Sequence, residues 1–224
     1  MPYDIERITI EVVSAIACFI LVRFMIKPYR LTGETRYLGL PFGFGILGAS
    51  YTFSALSFSP IFDFPNKSLV QLFVRAFAFL FLATTYYFSK SERKSRLLWN
   101  ATLGVFAAVL AILVLLAVIY PEFLLPSYRY SLAQVSLRVF DLTCITYIAI
   151  HALKSHIEQS DPTTLMTPLG YVFLGIGQYS VLIWAIDSSI VAFFGGLTLR
   201  LIGLAIFLFV SYRAFYSSEK RGNR

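Results

Sequence analysis

Long apolar runs broken by short polar punctuation dominate the chain. Seven of these runs reach the roughly 20 residues that a helix needs to cross the hydrocarbon core of a bilayer. The pattern predicts helices over 8–27, 37–58, 68–89, 97–120, 130–154, 165–187 and 190–215. Between them stand Lys27-Pro28, the stretch from Pro60 to Pro65, Tyr120-Pro121, Pro126 and Asp161-Pro162, the proline-rich signals of chain reversal. The last two runs are separated only by Asp187, Ser188 and Ser189. Merging them would create an apolar helix of about fifty residues, far beyond one crossing, so two helices are expected. The fold expected is an all-α integral membrane protein: one seven-transmembrane-helix bundle over 1–215 and a short basic tail over 216–224. The first run is expected to be retained as a helix, because Asp4 and Glu6 stand where a secretory leader carries basic residues.

Composition agrees with the pattern. Of 224 residues, 58% are hydrophobic and 14% charged, with a mean hydropathy of +0.72, whereas an ordinary soluble domain carries about 25% charged residues. The 22 Phe and 14 Tyr are spread along the whole chain, which excludes a soluble body on a single anchor. Tyr37, Tyr120, Tyr128, Tyr130 and Trp99 fall at span ends, where aromatic belts form.

The net charge of +7 is a topology signal. On alternate sides of the expected spans, Arg23, Lys27, Arg30, Arg36, Lys90, Arg93, Lys94, Arg96, Lys154, Arg213, Lys220, Arg221 and Arg224 fall on one side, and only Arg7, Lys67 and Arg129 on the other. By the positive-inside rule the N-terminus is outside, the C-terminus is cytoplasmic, and a multi-pass cell-membrane location is expected. Basic residues divided among loops give no nucleic-acid-binding face. The tail from Arg213 can also attract anionic lipid or a partner.

Few residues could carry catalysis or hold a cofactor. Cys18 and Cys144 lie in apolar runs without a CxxC spacing, and two histidines, His151 and His156, are too few for paired haem ligation on separate helices. His156 is expected in the loop after the fifth helix. No HExxH or GxSxG motif occurs, so no enzyme activity, metal or cofactor is expected. A retinal Schiff base would need a lysine in the last helix, whose deep cation is Arg200. Asn66-Lys67-Ser68 is a glycosylation sequon on the expected outer side, and Asn100-Ala101-Thr102 one on the inner side.

Candidate chemistry is confined to polar groups inside the membrane, where a charge is costly and faces a bundle interior or a cavity. These are Glu11, Arg75, Arg138, Asp141 and Arg200, with Gln71, Gln134 and Gln178. At 1.5 Å per residue, Arg75, Arg138, Arg200 and Gln178 all fall roughly 10–15 Å from the outer surface. Ser131, Gln134, Arg138 and Asp141 recur every three or four residues as one helical stripe, with Arg138 and Asp141 spaced to pair. Ser50, Ser54 and Ser57 form a second stripe, and Gln71 and Arg75 share a face. Arg200 shares its face with Gly196 and Gly203. Gly39, Gly43, Gly45 and Gly48 crowd the second helix, and Gly170, Gly175 and Gly177 the sixth, a signature of close helix packing. The inner half of the bundle is expected to be almost wholly apolar.

Two outcomes are open at this point. The polar groups can satisfy one another, Arg138 with Asp141 and another arginine with Glu11, and so fix helix positions. Alternatively, a surplus of arginine forms an outward polar cavity for a small anionic ligand. The second makes the chain a receptor-like or sensor module that signals to a separate partner through its basic cytoplasmic loops. The first suits an integral accessory subunit of a multi-subunit membrane complex, meeting partner helices through its glycine faces. A small transporter or channel fits less well, since no internal repeat and no continuous polar path is evident.

Overall fold

The computed structural model describes residues 4–33, 35–57, 67–88, 130–159 and 165–216, together with part of the stretch between 99 and 115. Apart from short turns, the described residues are helical. The elements are α1 (Asp4–Met25), α2 (Lys27–Thr32), a 3-10 turn (Thr35–Leu38), α3 (Gly39–Ser57), α4 (Lys67–Phe88), α5 (Tyr130–Gln159), α6 (Met166–Asp187) and α7 (Ile190–Tyr216). α1 (with α2), α4, α5, α6 and α7 are each long and apolar enough to cross a membrane. The chain is therefore a multi-pass helical bundle by length and composition.

The expected second span forms α3, whose hydropathy is diluted by four glycines and three serines. Eleven of its 19 residues are buried, so α3 presents little surface that lipid would have to solvate. Within the expected fourth span, an apolar helix runs from Trp99 to Val109, and the rest of that span lies largely outside the described residues. So do the connections at 58–66 and 89–98, with Lys90, Arg93, Lys94 and Arg96, those at 116–129 and 160–164, and the tail beyond Tyr216.

Several boundaries differ from the sequence reading. α1 begins at Asp4, four residues before the first apolar residue of the run, with Asp4 and Glu6 in the turn where the helix dipole favours acidic groups. At its other end the helix does not stop at Lys27-Pro28. Ile26 N–H donates to Val22 O at 3.0 Å and Arg30 N–H to Ile26 O at 3.1 Å, so the helical ladder continues into α2. Pro28 sits in the first turn of α2, and with no N–H of its own it leaves the continuing ladder one donor short at that turn. The stop comes at Gly33, with φ of 68°. α5 runs on to Gln159, which places His156 on the helix rather than in a loop. The narrow break between the last two runs is a real reversal. Ser188 adopts the left-handed conformation at φ 53°, its N–H donates to Trp184 O at 2.8 Å, and Ser189 Oγ accepts from Ala192 N–H at 3.4 Å.

The helices pack as a closed ring in the order α1, α3, α4, α5, α6, α7 and back to α1. The ring is inverted relative to a soluble protein. Glu11, Arg75, Arg138, Asp141, Gln178 and Arg200 are buried, while Ile16, Ile150, Val172 and Phe209 are exposed on the outside. Lipid is as apolar as those side chains, so helix association here rests on close packing and polar contacts rather than on expulsion of water. Glycine supplies the closest approach. An added Cβ at Gly177 would stand 2.9 Å from Gly196 O, and one at Gly203 the same distance from Gly170 O, so α6 and α7 meet backbone to backbone at two levels.

α4 and α5 are parallel neighbours. Arg75 and Arg138 line one space near their starts, and the Tyr86 ring meets His151 at 5.8 Å near their ends. The far half is filled by Phe44, Phe79, Leu82, Ile148, Tyr171, Leu204 and Phe207. It is not wholly apolar, because Tyr86 donates to Tyr171 through their hydroxyls at 3.2 Å, linking α4 to α6 across the bundle.

Candidate functional site

At the end where α1, α4, α5 and α7 begin, the ring encloses a cavity of about 270 Å³. Its walls come from six helices. Glu11 reaches in from α1, Ser57 from α3, Gln71 and Arg75 from α4, Gln134 and Arg138 from α5, Gln178 from α6 and Arg200 from α7. Counted from the helix ends at 1.5 Å per residue, Glu11, Arg75, Arg138, Gln178 and Arg200 lie roughly 10–15 Å deep. Helical spacing explains the convergence: Gln71 and Arg75, and Gln134 and Arg138, are four residues apart and share a face.

The lining holds four guanidiniums, from Arg7, Arg75, Arg138 and Arg200, and one carboxylate, Glu11. Arg200 and Glu11 form an ion pair with side chains only 5% and 3% exposed. Arg200 Nη1 donates to Glu11 Oε1 at 3.3 Å. Nη2 stands 3.2 Å from Oε2, close enough to attract as a charge but off the line of a hydrogen bond. This is the arginine–Glu11 pair that the sequence allowed.

The other expected pair takes a different form. Asp141 is fully buried behind the cavity and does not line it. Neither of its carboxylate oxygens has a hydrogen-bond partner among the described residues, so Arg138 and Asp141 are not joined by a hydrogen bond despite their spacing. Arg138 is instead turned toward Trp184. Arg75 and Arg138 act on Asp141 as nearby positive charges.

Every arginine of the lining lies over an aromatic ring. The guanidinium carbon of Arg200 is 4.3 Å and that of Arg75 5.0 Å from the centroid of Tyr51, Arg138 is 5.8 Å from Trp184, and Arg7 is 5.1 Å from Phe193. A guanidinium held by its face keeps its in-plane N–H groups for acceptors at its edge. For Arg75, Nε and Nη2 are buried with no acceptor among the described residues, and Gln178 Oε1 is buried with no donor. Leu72, Val181, Trp184, Phe193 and Leu197 complete the lining with apolar surface. The space is part polar and part apolar.

The serine stripe behaves differently from its reading. Ser50 is buried and donates to the backbone carbonyl of Gln71 at 3.5 Å, tying α3 to α4. Ser54 is buried beside it, and neither lines the cavity. The Ser50 hydroxyl is thus spent at the helix contact, while the Ser54 hydroxyl is buried without a hydrogen-bond partner among the described residues. Only Ser57, one turn further, lines the cavity. Ser131, at the head of the α5 stripe, has a side chain outside the described set.

Sequence reasoning missed Arg7, Tyr51, Trp184 and Phe193. The apolar run starts at Ile8, which puts Arg7 at the outer surface, whereas the helix starts at Asp4. Its signal was the acidic first turn at Asp4 and Glu6, which marks an earlier start. The three rings carry no distinguishing signal in a chain that is 17% aromatic. Among the described residues, no three His, Cys, Asp or Glu side chains converge as a metal site. The described lining thus places arginine donors in surplus over carboxylate, with apolar surface beside them. No protein-family model matches the sequence, and no curated protein or solved structure matches it.

Proposed function

We propose that the chain is a seven-helix, receptor-like membrane protein that binds a small anion in this cavity and passes the binding event to a separate partner. The observation that carries the reading is the imbalance among the described residues of the cavity, four arginines against one carboxylate, with buried donors on Arg75 that have no acceptor among those residues. Buried charge is costly in a membrane, and a surplus of one sign is retained where a ligand of the other sign completes it.

Seven crossings are supported by chain direction. α4 and α5 both start at the cavity end, so the chain after Phe88 must return from the far end before Tyr130. The segment 97–120 is the apolar stretch available for that crossing. Arg23, Lys27, Lys154 and Arg213 belong to the far end and make it the cytoplasmic one, which opens the cavity outward.

Purified protein in detergent tests the reading through its melting temperature. Small carboxylates should raise it, and the rise should vanish in Arg138→Leu. A monodisperse protein that no anion stabilises, co-purifying with stoichiometric membrane partners from native membranes, would overturn the receptor reading in favour of an accessory subunit.

A further inference from the structure

The cavity contains a carboxylate supplied by the chain itself. Glu11 sits against the guanidinium edge of Arg200, whose face rests on Tyr51. The contacts of 3.2 and 3.3 Å are longer than the 2.7–2.9 Å usual for a charged N–H···O bond, and one of the two is out of line. Arg75 shares the Tyr51 ring with Arg200 and has two buried N–H donors without an acceptor among the described residues. A carboxylate therefore has a seat here that Glu11 only partly fills.

We propose that Glu11 is a resident counter-ion and that the ligand is a small organic carboxylate with an apolar body, which replaces Glu11 on Arg200 and also engages Arg75. This deepens, and rests on, the reading that the cavity binds anions. The carboxylate head is specified by what Arg200 already holds. The apolar body is specified by the apolar part of the lining, Val181, Trp184, Phe193 and Leu197, which a compact inorganic oxyanion would leave uncovered.

The exchange has a structural consequence. Glu11 is on α1 and Arg200 on α7, the two helices whose contact closes the ring. α7 approaches α6 closely at Gly177–Gly196 and Gly170–Gly203, where no side chain separates the backbones. Releasing Glu11 removes an ion pair from the α1–α7 seam while leaving the α6–α7 seam intact. Ligand binding thus acts on one specific joint of the bundle.

The test is calorimetric titration of the full chain in nanodiscs with sodium benzoate and, separately, sodium sulfate. Wild type should bind benzoate saturably and more tightly than sulfate. Glu11→Gln, which removes the competing charge, should bind benzoate about tenfold more tightly, because the binding-competent state no longer has to be released from an internal occupant. Glu11→Asp keeps the charge but draws it back by one methylene, and it should show a smaller gain in the same direction. It also serves if Glu11→Gln does not fold. Wild-type binding that neither variant tightens would overturn the counter-ion role and leave the anion cavity standing. Sulfate binding tighter than benzoate would overturn the ligand class. No binding of either anion to any folded variant would remove the anion-cavity reading itself.

Discussion

Arg200 and Phe207 lie two turns apart on one face of α7, and the bundle treats them in opposite ways. At the level of Arg200 the ring stands open around a 270 Å³ space walled by charge. At the level of Phe207 it is filled: the ring meets Phe44 at 5.5 Å and Tyr171 at 4.6 Å between centroids, and rests on Gly170. The same six helices build both levels. The difference teaches that the far half holds the fold through packing, while the cavity half keeps space and charge that packing alone would have eliminated. In lipid, where apolar burial gains little by itself, the close contacts around Phe207 and the glycine seam carry more of the stability than their counterparts in a soluble protein would.

Substitutions at the two levels should therefore separate stability from binding. The exception is the cavity's own ion pair, where the largest loss of stability is expected. Glu11→Leu leaves Arg200 buried without its carboxylate and should destabilise by about 4 kcal/mol, read from unfolding in mixed micelles. Phe207→Ala opens a void in the filled half. It should cost about 3 kcal/mol and leave anion binding intact in the protein that remains folded. If it abolished binding while leaving stability unchanged, the division between the halves would be wrong. Arg75→Leu should do the reverse. Replacing a buried charge that lacks an acceptor by an apolar side chain should change stability by less than about 1 kcal/mol, in either direction, and remove the carboxylate-induced rise in melting temperature. The smallest effect is expected for Tyr86→Phe, which deletes the hydroxyl contact to Tyr171 and should cost about 0.6 kcal/mol, the typical worth of a side-chain hydrogen bond inside a membrane protein.

The cavity half was the more legible of the two in the sequence, for a geometric reason. Depth follows from residue count and facing from the helical repeat, so Arg75, Arg138, Gln178 and Arg200 could be placed at one level before any contact was known. What the repeat does not encode is the far end of a side chain. Arg138 and Asp141 are spaced to pair, yet the guanidinium is turned to Trp184 and the carboxylate to the bundle interior. Ser50 and Ser54 lie on the right helix at the right depth, but their short side chains do not reach the cavity, and the Ser50 hydroxyl is taken up at the α3–α4 contact. The order of helices around the ring was not legible either, because each apolar stripe is compatible with any neighbour in lipid. Only the glycines restrict that choice, and their partners, Gly177 with Gly196 and Gly170 with Gly203, are specified by surface shape rather than by residue type. Tyr86 and Tyr171 escaped notice because a phenol in an apolar run reads as hydrophobic until its hydroxyl has a partner.

The central claim is that the arginine-walled space is a carboxylate site. It is tested most directly by crystals of the protein grown with 4-bromobenzoate and measured at the bromine absorption edge. The account predicts an anomalous peak within the cavity on the side of Trp184 and Phe193, with the carboxylate turned to Arg75 and Arg200. Bromine peaks confined to the lipid-facing surface, with Glu11 still seated on Arg200 and the cavity unchanged, would contradict it.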